Sequence, residues 1–485
     1  MRTAKICCFL LIVTFAFGQE PGDKVIAEAL KPSSLETNLR RLTDEIGGRV
    51  PGTPAMERAV AWGVAAFKAA GADSVHTEDF TIRASWTEGA TKMTVVAPES
   101  FSVRLVSLAW APALAPQEHV RIVSVGAGTA DDFAKAGDAT GAIVLVNTNE
   151  MHTWDDLFAE YLNAPGIIDR ALKAKVLAIA FQSTRPHDLL YRHTNSLAGE
   201  IDRLPMVEVA REDGSRMARL LASGQKLYAD LSIPNHVGGP ITATNVIGEL
   251  RGSEKPDEFV VLGAHLDSWE LGTGALDNGC NAALVIDALR AIKASGLQPR
   301  RSMRFILFSG EEEGLLGSHA YVRSHRDELD KAAGMVVFDS GTGATTGFSL
   351  GGRKDLVDAV TTMIAPLKQF DATALTTDMS WGTDHFDFML EGVPTFMANQ
   401  QEANYLINYH AMSDTFDKVD MGQLKKHVAE AAYLSFSLAN NAERIGPRYT
   451  RAQIEQAMRE THADELMKTF GMWDDWEKGK LGPTK

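Results

Sequence analysis

The second half of the chain is organised by four short apolar runs, at 259–265, 303–308, 335–338 and 393–397. They are too short for helices and rich in Val, Ile, Leu and Phe, which predicts buried strands. The first ends on His265, with Asp267 two positions further on. The second gives way, after Ser309 and Gly310, to Glu311, Glu312 and Glu313, and the third runs into Asp339. A loop after the fourth carries His410. Between the first two runs, the longer apolar segment 282–292 predicts a packed helix, and Asp277 stands just ahead of it. Strands alternating with helices predict an α/β fold with a mostly parallel sheet flanked by helices. Ligands of such sheets sit outside the carboxyl ends of the strands, so residues that end separate strands converge in space.

Upstream, 33–46 and Pro54–Ala70 show helical periodicity; Thr53 suits the cap of the second helix, Pro54 its first turn and Gly71 its end. The segment 75–82 alternates as a strand does, and turn chemistry accounts for Arg49 and Gly52. From about 117 the character changes. Strand-like runs at 120–125, 142–146, 176–181, 206–209 and 227–231 alternate with helices and polar loops, and none ends on a cluster of ligand-type residues. A smaller α/β domain inserted at 117–236 is expected, with the main domain in two segments, 24–116 and 237–445. Within the insert, His152, Trp154, His187 and His193 read as surface groups. The segment 244–250 returns to the main sheet, and 446–485 predicts one or two outer helices and a loose end.

Residues 1–18 carry Arg2 and Lys5 ahead of an apolar stretch at 6–17, which predicts a signal peptide and a secreted or periplasmic protein, joined to the fold by a linker at 20–23. Cys7 and Cys8 leave with that peptide, so Cys280 is the one cysteine of three that remains, and core packing must replace disulfides. Acids outnumber bases 63 to 48, for a net charge of −15, which argues against nucleic acid or an anionic membrane surface as partner. No second long apolar segment follows, so no membrane association is expected after the signal is removed. A homodimer is compatible with this reading.

Taken one at a time, an acid after a strand caps a helix or closes a turn, and a single histidine is an ordinary polar group. Several carboxylates brought to one place would repel each other and resist ionisation. Divalent cations remove that conflict. Asp267, next to His265, suits a carboxylate that fixes the imidazole, and Cys280 suits a small buried thiol. Two other functions compete. GFSLG at 347–351 satisfies a serine-hydrolase pattern, and Ser349, Asp384 and His410 fall in the chain order of a triad, but the polar, Gly/Thr-rich stretch 340–352 is expected to be a loop without the required strand. A core of this kind could also act as a binding module without catalysis.

HLDSWELGTGALDNG, SGEEEGLLGS, VFDSGTG and YHAMSD resemble the motifs of the M28 family of co-catalytic zinc exopeptidases. The tryptophan after HLDS resembles its carboxypeptidase Q-like branch, and the likeness runs over about 33–441. It implies the zinc-exopeptidase fold, a protease-associated domain as the insert, and two zinc ions. One zinc would take His265 and Asp339 and the other Glu312 and His410, with Asp277 bridging and a cis peptide bond between Asp277 and Asn278. Glu311, left over from the ligand set, would be the general base, and His385, in a TDH sequence where relatives have SDH, would contact substrate. The implied reaction is hydrolysis at the end of short peptides, by an aminopeptidase or dipeptidase or, alternatively, a carboxypeptidase. Glutaminyl-cyclase-like chemistry occurs on the same fold, but without such an insert.

Overall fold

The apolar runs form the centre of an eight-stranded mixed sheet in the computed structural model, which describes residues 21–483. The strand order is Ser74–Ile82, Ile241–Leu250, Arg301–Phe308, Lys255–His265, Ala332–Val337, Thr395–Gln400, Thr345–Ser349 and Ala374–Thr376. Lys255–His265 pairs in parallel with both neighbours, and Ala332–Val337 pairs in parallel with Thr395–Gln400. Antiparallel strands close the sheet on the Ser74–Ile82 side. Strand alternation sends Val260, Leu262 and Ala264 to one face and Phe259 and Val261 to the other. Both faces are covered, which explains why these runs are apolar without a polar alternate.

On the first face the helices Cys280–Ala294 and Met421–Asn440 pack side by side on the sheet, with Pro21–Ala29 against both, and Cys280–Ala294 is buried on nearly all sides. Side chains such as Leu284 and Ile292, fully or nearly fully buried, each contribute about 1.5–3 kcal/mol by leaving water. Pro54–Ala70 packs beside it through Met56, Trp62 and Phe67; the Thr53 hydroxyl accepts from the Met56 amide, and Gly71 ends the helix at φ +91°. The opposite face is covered by Leu316–Ser324 and His385–Leu390.

The chain leaves the main sheet after Ile82 and returns at Ile241. In between it builds a second eight-stranded sheet, whose parallel centre is Leu114–Ser124, Ile143–Val146, Ala178–Gln182 and Met206–Val209. Alternate residues of Ile143–Val146 feed separate cores on its two faces. This sheet also takes in Lys92–Ala97, Phe101–Val103 and Leu105–Ser107, ahead of the expected boundary at 117, because they pair with strands from later in the insert or with one another.

Other expectations also shift. The expected linker at 20–23 is already helical from Pro21, because Val25, Ile26 and Ala29 bury against the core. The helix over 33–46 holds its α form only for Leu35–Arg40 and then widens to Ile46. The stretch 340–352 contains the strand Thr345–Ser349, held by pairing with Thr395–Gln400 that its Gly/Thr composition does not advertise. The described part of the tail forms three helices, Arg451–Thr461, Ala463–Thr469 and Trp473–Glu477, and is packed as far as Trp476, which is buried with the Arg451 guanidinium 3.9 Å from its ring. The signal segment 1–18 lies outside the described residues. Among those described, no helix is long and apolar enough to cross a membrane.

Candidate metal centre

His265 ends its strand, Glu311 and Glu312 lie just beyond Phe308, and Asp339 follows Val337, so three adjacent parallel strands deliver their polar residues to one edge. Asp277 arrives from the turn before Cys280–Ala294, where the Asp277–Asn278 peptide bond is cis. His410 arrives from a loop, at φ +58°. The result is two trios that share one carboxylate: His265, Asp277 and Asp339, and Asp277, Glu312 and His410, with the ligand atoms of each trio within 4.8 Å of one another. His265 Nε2 lies 3.1 Å from Asp277 Oδ1 and 3.3 Å from Asp339 Oδ1. His410 Nε2 lies 2.7 Å from Glu312 Oε2 and 3.4 Å from Asp277 Oδ2. Glu311 belongs to neither trio, though its Oε2 is 3.9 Å from His265 Nε2.

The electrostatics are those of a site built for positive charge. Burial, together with Asp339, Glu312 and Asp384, pushes Glu311 well above the usual carboxylate range, although His265 pulls the other way. Burial and Asp277 do the same to Glu312. Burial disfavours the His265 imidazolium, yet Asp339 and Glu311 overcome this and raise its pKa well above the ordinary value. Burial also disfavours ionisation of Asp277, but the two imidazoles against it hold it well below the usual range. Asp277 Oδ2, Asp339 Oδ1 and Glu312 Oε1 are buried without a hydrogen-bond partner. Orphaned buried acceptors of this kind are costly, and a divalent cation in each trio would satisfy them.

Arg49 supports this edge from below. Its guanidinium is fully buried and donates to the carbonyls of Leu266, Gly47 (3.0 Å), Thr273 (2.7 Å) and Gly274 (2.9 Å), pinning the loop that joins His265 to Asp277. Asp414 accepts from the amides of Leu276 (2.7 Å) and Asp277 (3.1 Å). Arg49 reads in the sequence as an ordinary turn residue, and Asp414 ends the YHAMSD motif without a role of its own. Asp267 behaves differently from the expectation: the nearer partner of His265 Nδ1 is its backbone carbonyl, at 3.1 Å, while its carboxylate lies 3.7 Å away and accepts from the Glu312 amide at 3.2 Å. The chain turns immediately after His265, which brings the carbonyl under the ring first.

A cavity of about 330 Å³ opens over both trios. Its roof is one face of the helix Trp154–Lys173, presenting Trp154, Leu157, Phe158 and Tyr161 at helical spacing. Trp154, expected as a surface group, stacks on Tyr405 at 5.6 Å, and the Tyr161 and Tyr409 hydroxyls meet at 2.9 Å. The insert also grips the His410 loop: the Arg192 amide donates to the His410 carbonyl at 3.0 Å, Tyr191 bridges to Ala411, and Arg185 donates to the Tyr409 carbonyl at 3.2 Å. Gly314 completes the docking, since a Cβ there would lie 2.3 Å from the Leu197 carbonyl oxygen. His385 is buried at the start of its helix, outside the cavity lining, with its pKa pushed down to about 4 by burial. Ser380, Trp381 and Thr383, from the loop that precedes it, are the residues of this segment that line the cavity. Ser349 is also outside it, its hydroxyl donating to the Asp378 carbonyl at 2.9 Å. Cys280 is buried, its thiol 3.3 Å from the Leu276 carbonyl.

Residues 245–435 match the family model described as Peptidase family M28, and this span holds every residue of both trios. Over that span the chain is similar to peptidase family M28. Carboxypeptidase Q of Rattus norvegicus is 26% identical over 84% of this chain and 85% of its own length. An M28 peptidase precursor from Shewanella amazonensis superposes with a TM-score of 0.80 at 25% identity, over 88% of this chain and 98% of that one. A zinc aminopeptidase from Bacillus subtilis, at 21% identity, covers 86% of this chain and 97% of its own with a TM-score of 0.66, a likeness of fold.

Proposed function

We propose that this protein is a secreted or periplasmic dizinc exopeptidase that removes the amino-terminal residue from short peptides or splits dipeptides. The observation that carries the reading is the pair of trios sharing Asp277 beneath a covered cavity. In it, His265 and Asp339 hold one zinc, Glu312 and His410 the other, and Asp277 both. Mixed imidazole and carboxylate donors suit zinc. When bound, the ions would lower the pKa of a water and polarise the scissile carbonyl. Glu311, lining the cavity outside both trios, takes the proton of the attacking water and returns it to the leaving amine. Asp267 sets the Glu312 backbone and the His265 ring. The insert is a protease-associated domain that covers the site and holds the His410 loop.

The cavity favours one direction of cleavage. Among the described residues that line it there is no lysine or arginine, so a terminal carboxylate would find no cation, whereas the acidic edge suits a free α-amine. The carboxypeptidase reading rests on the names of relatives such as carboxypeptidase Q. Di- and tripeptides with free, N-blocked or C-amidated ends, followed by mass spectrometry, separate the two: cleavage of C-amidated but not N-blocked peptides is expected.

Glu311 and Glu312 form a matched pair of tests. Glu311→Gln should keep both zinc ions while kcat falls by about 10²–10⁴, the usual worth of general base catalysis. Glu312→Gln should lose zinc, because a neutral amide oxygen is the poorer ligand. Metal loss from the first variant and retention in the second would reverse the two roles. Near-normal zinc and turnover in both would refute the dizinc peptidase reading.

A further inference from the structure

The helix Trp154–Lys173 has a second functional face. While one side roofs the cavity over the trios, Asp156, Ala159, Glu160 and Asn163 on the other side border a separate cavity of about 180 Å³ within the insert. Its floor holds Glu208, from the strand Met206–Val209. That carboxylate is fully buried, and neither oxygen has a hydrogen-bond partner within reach. The hydroxyls of Tyr191 and Ser183 lie near enough to act on it but make no hydrogen bond of ordinary geometry with it. The neighbouring Glu160 is differently placed: it accepts from Thr184 (3.1 Å), Arg185 (3.2 Å) and Tyr191, whereas the Arg185 guanidinium acts on Glu208 through its charge and donates no hydrogen bond to it. No lysine or arginine is among the described residues that line this cavity, while Val146, Met151, Ile167 and Phe181 give it apolar walls.

We propose that this cavity is a binding site for a small aliphatic primary ammonium ion, with Glu208 as its counter-ion and the apolar walls around its carbon chain. A buried carboxylate without a partner costs free energy unless it is neutral or meets a cation. Burial and Glu160 push Glu208 well above the usual carboxylate range, which is the behaviour of an acid that ionises when a cation arrives. His193, also facing the cavity, is held down at about 4 by burial and so adds an uncharged ring rather than a competing positive charge. A carboxylate-bearing ligand has nothing to pair with here. Entry is over Ala159 and Asn163, exposed and one helical turn apart. This site is built from insert residues alone and does not depend on the chemistry assigned to the trios.

The test is calorimetric titration of the full-length protein with n-butylammonium chloride, n-butanol and sodium butyrate. Saturable binding of the ammonium, and of it alone, is expected. Glu208→Gln keeps the shape of the side chain and should weaken that binding by about tenfold or more, the worth of a charge-assisted contact. Ala159→Trp, at an exposed position on the rim, should weaken it as well and serves as the decisive variant should the first fail to fold. Absence of binding, equal binding of butanol or butyrate, or ammonium binding that the rim variant leaves unchanged would each overturn the proposal.

Discussion

Arg49→Met replaces the guanidinium with an apolar chain of similar length and leaves four carbonyls without their donor. Hydrogen bonds to a charged group are worth about 1.5–3 kcal/mol each, so four lost bonds represent roughly 6–12 kcal/mol. Against this stands the relief of the buried charge, whose desolvation amounts to several kcal/mol. That cost is visible in the guanidinium pKa, pushed down to about 10 by burial although Asp414 and Asp267 oppose the shift. The net expectation is a loss of about 3–5 kcal/mol, the usual result of removing one side of a buried charged network. Arg49→Lys should recover only part of it, since an ammonium is a compact donor and cannot span carbonyls on both sides of the loop. Denaturant unfolding of the three proteins, with and without a chelator, measures this. Because the loop sets the spacing of His265 and Asp277, metal content should fall with stability. An Arg49→Met protein within 1 kcal/mol of the parent, about the size of a single ordinary hydrogen bond, would refute this reasoning.

Glu430, buried in Met421–Asn440, has its pKa raised by burial from 4.5 to about 7. The folded state therefore holds a proton that the unfolded state releases above its own pKa, so this stability is present below about pH 4.5 and lost as pH rises through 7. Glu430→Gln should stabilise the protein at pH 8 by up to roughly 3 kcal/mol and have little effect at pH 4.5, as read from paired unfolding curves. Trp381 lines the main cavity and stacks on Phe470 of the tail at 4.3 Å. Phe470→Ala should loosen that wall at a cost of about 0.5–1.5 kcal/mol, seen as a raised KM with kcat nearly unchanged; a fall in kcat alone would contradict it.

The strands that carry the candidate site were legible because burial on both faces leaves continuous apolar runs, and each run stops where its polar residue begins. His265, Glu312 and Asp339 could thus be placed at one sheet edge from the sequence. Asp277 and His410 come from a turn and a loop, where no periodicity operates, and motif resemblance was needed to join them to the others. Residues that act through the backbone escaped: Arg49 and Asp414 bind carbonyls and amides whose positions only the fold defines. Trp154 escaped for another reason. One apolar face of its helix lines a cavity instead of a core, a placement that only the tertiary fold defines. The strand Thr345–Ser349 was hidden because its pairing partner lies some fifty residues away, and local propensity carries little weight against such pairing.

The grip of residues 190–192 on the His410 loop means that the last member of the two trios is set by a body of chain made long before it. Contacts between segments so far apart in sequence form late, after the loop-closure entropy between them has been met. A chain still being synthesised or not yet docked can have its sheet, its glutamates and Asp277, and still lack a held His410. Competence would then arrive in one step with the final closure of the molecule, so that incompletely folded copies, which expose their own peptide ends, meet no working peptidase among their equally unfinished neighbours.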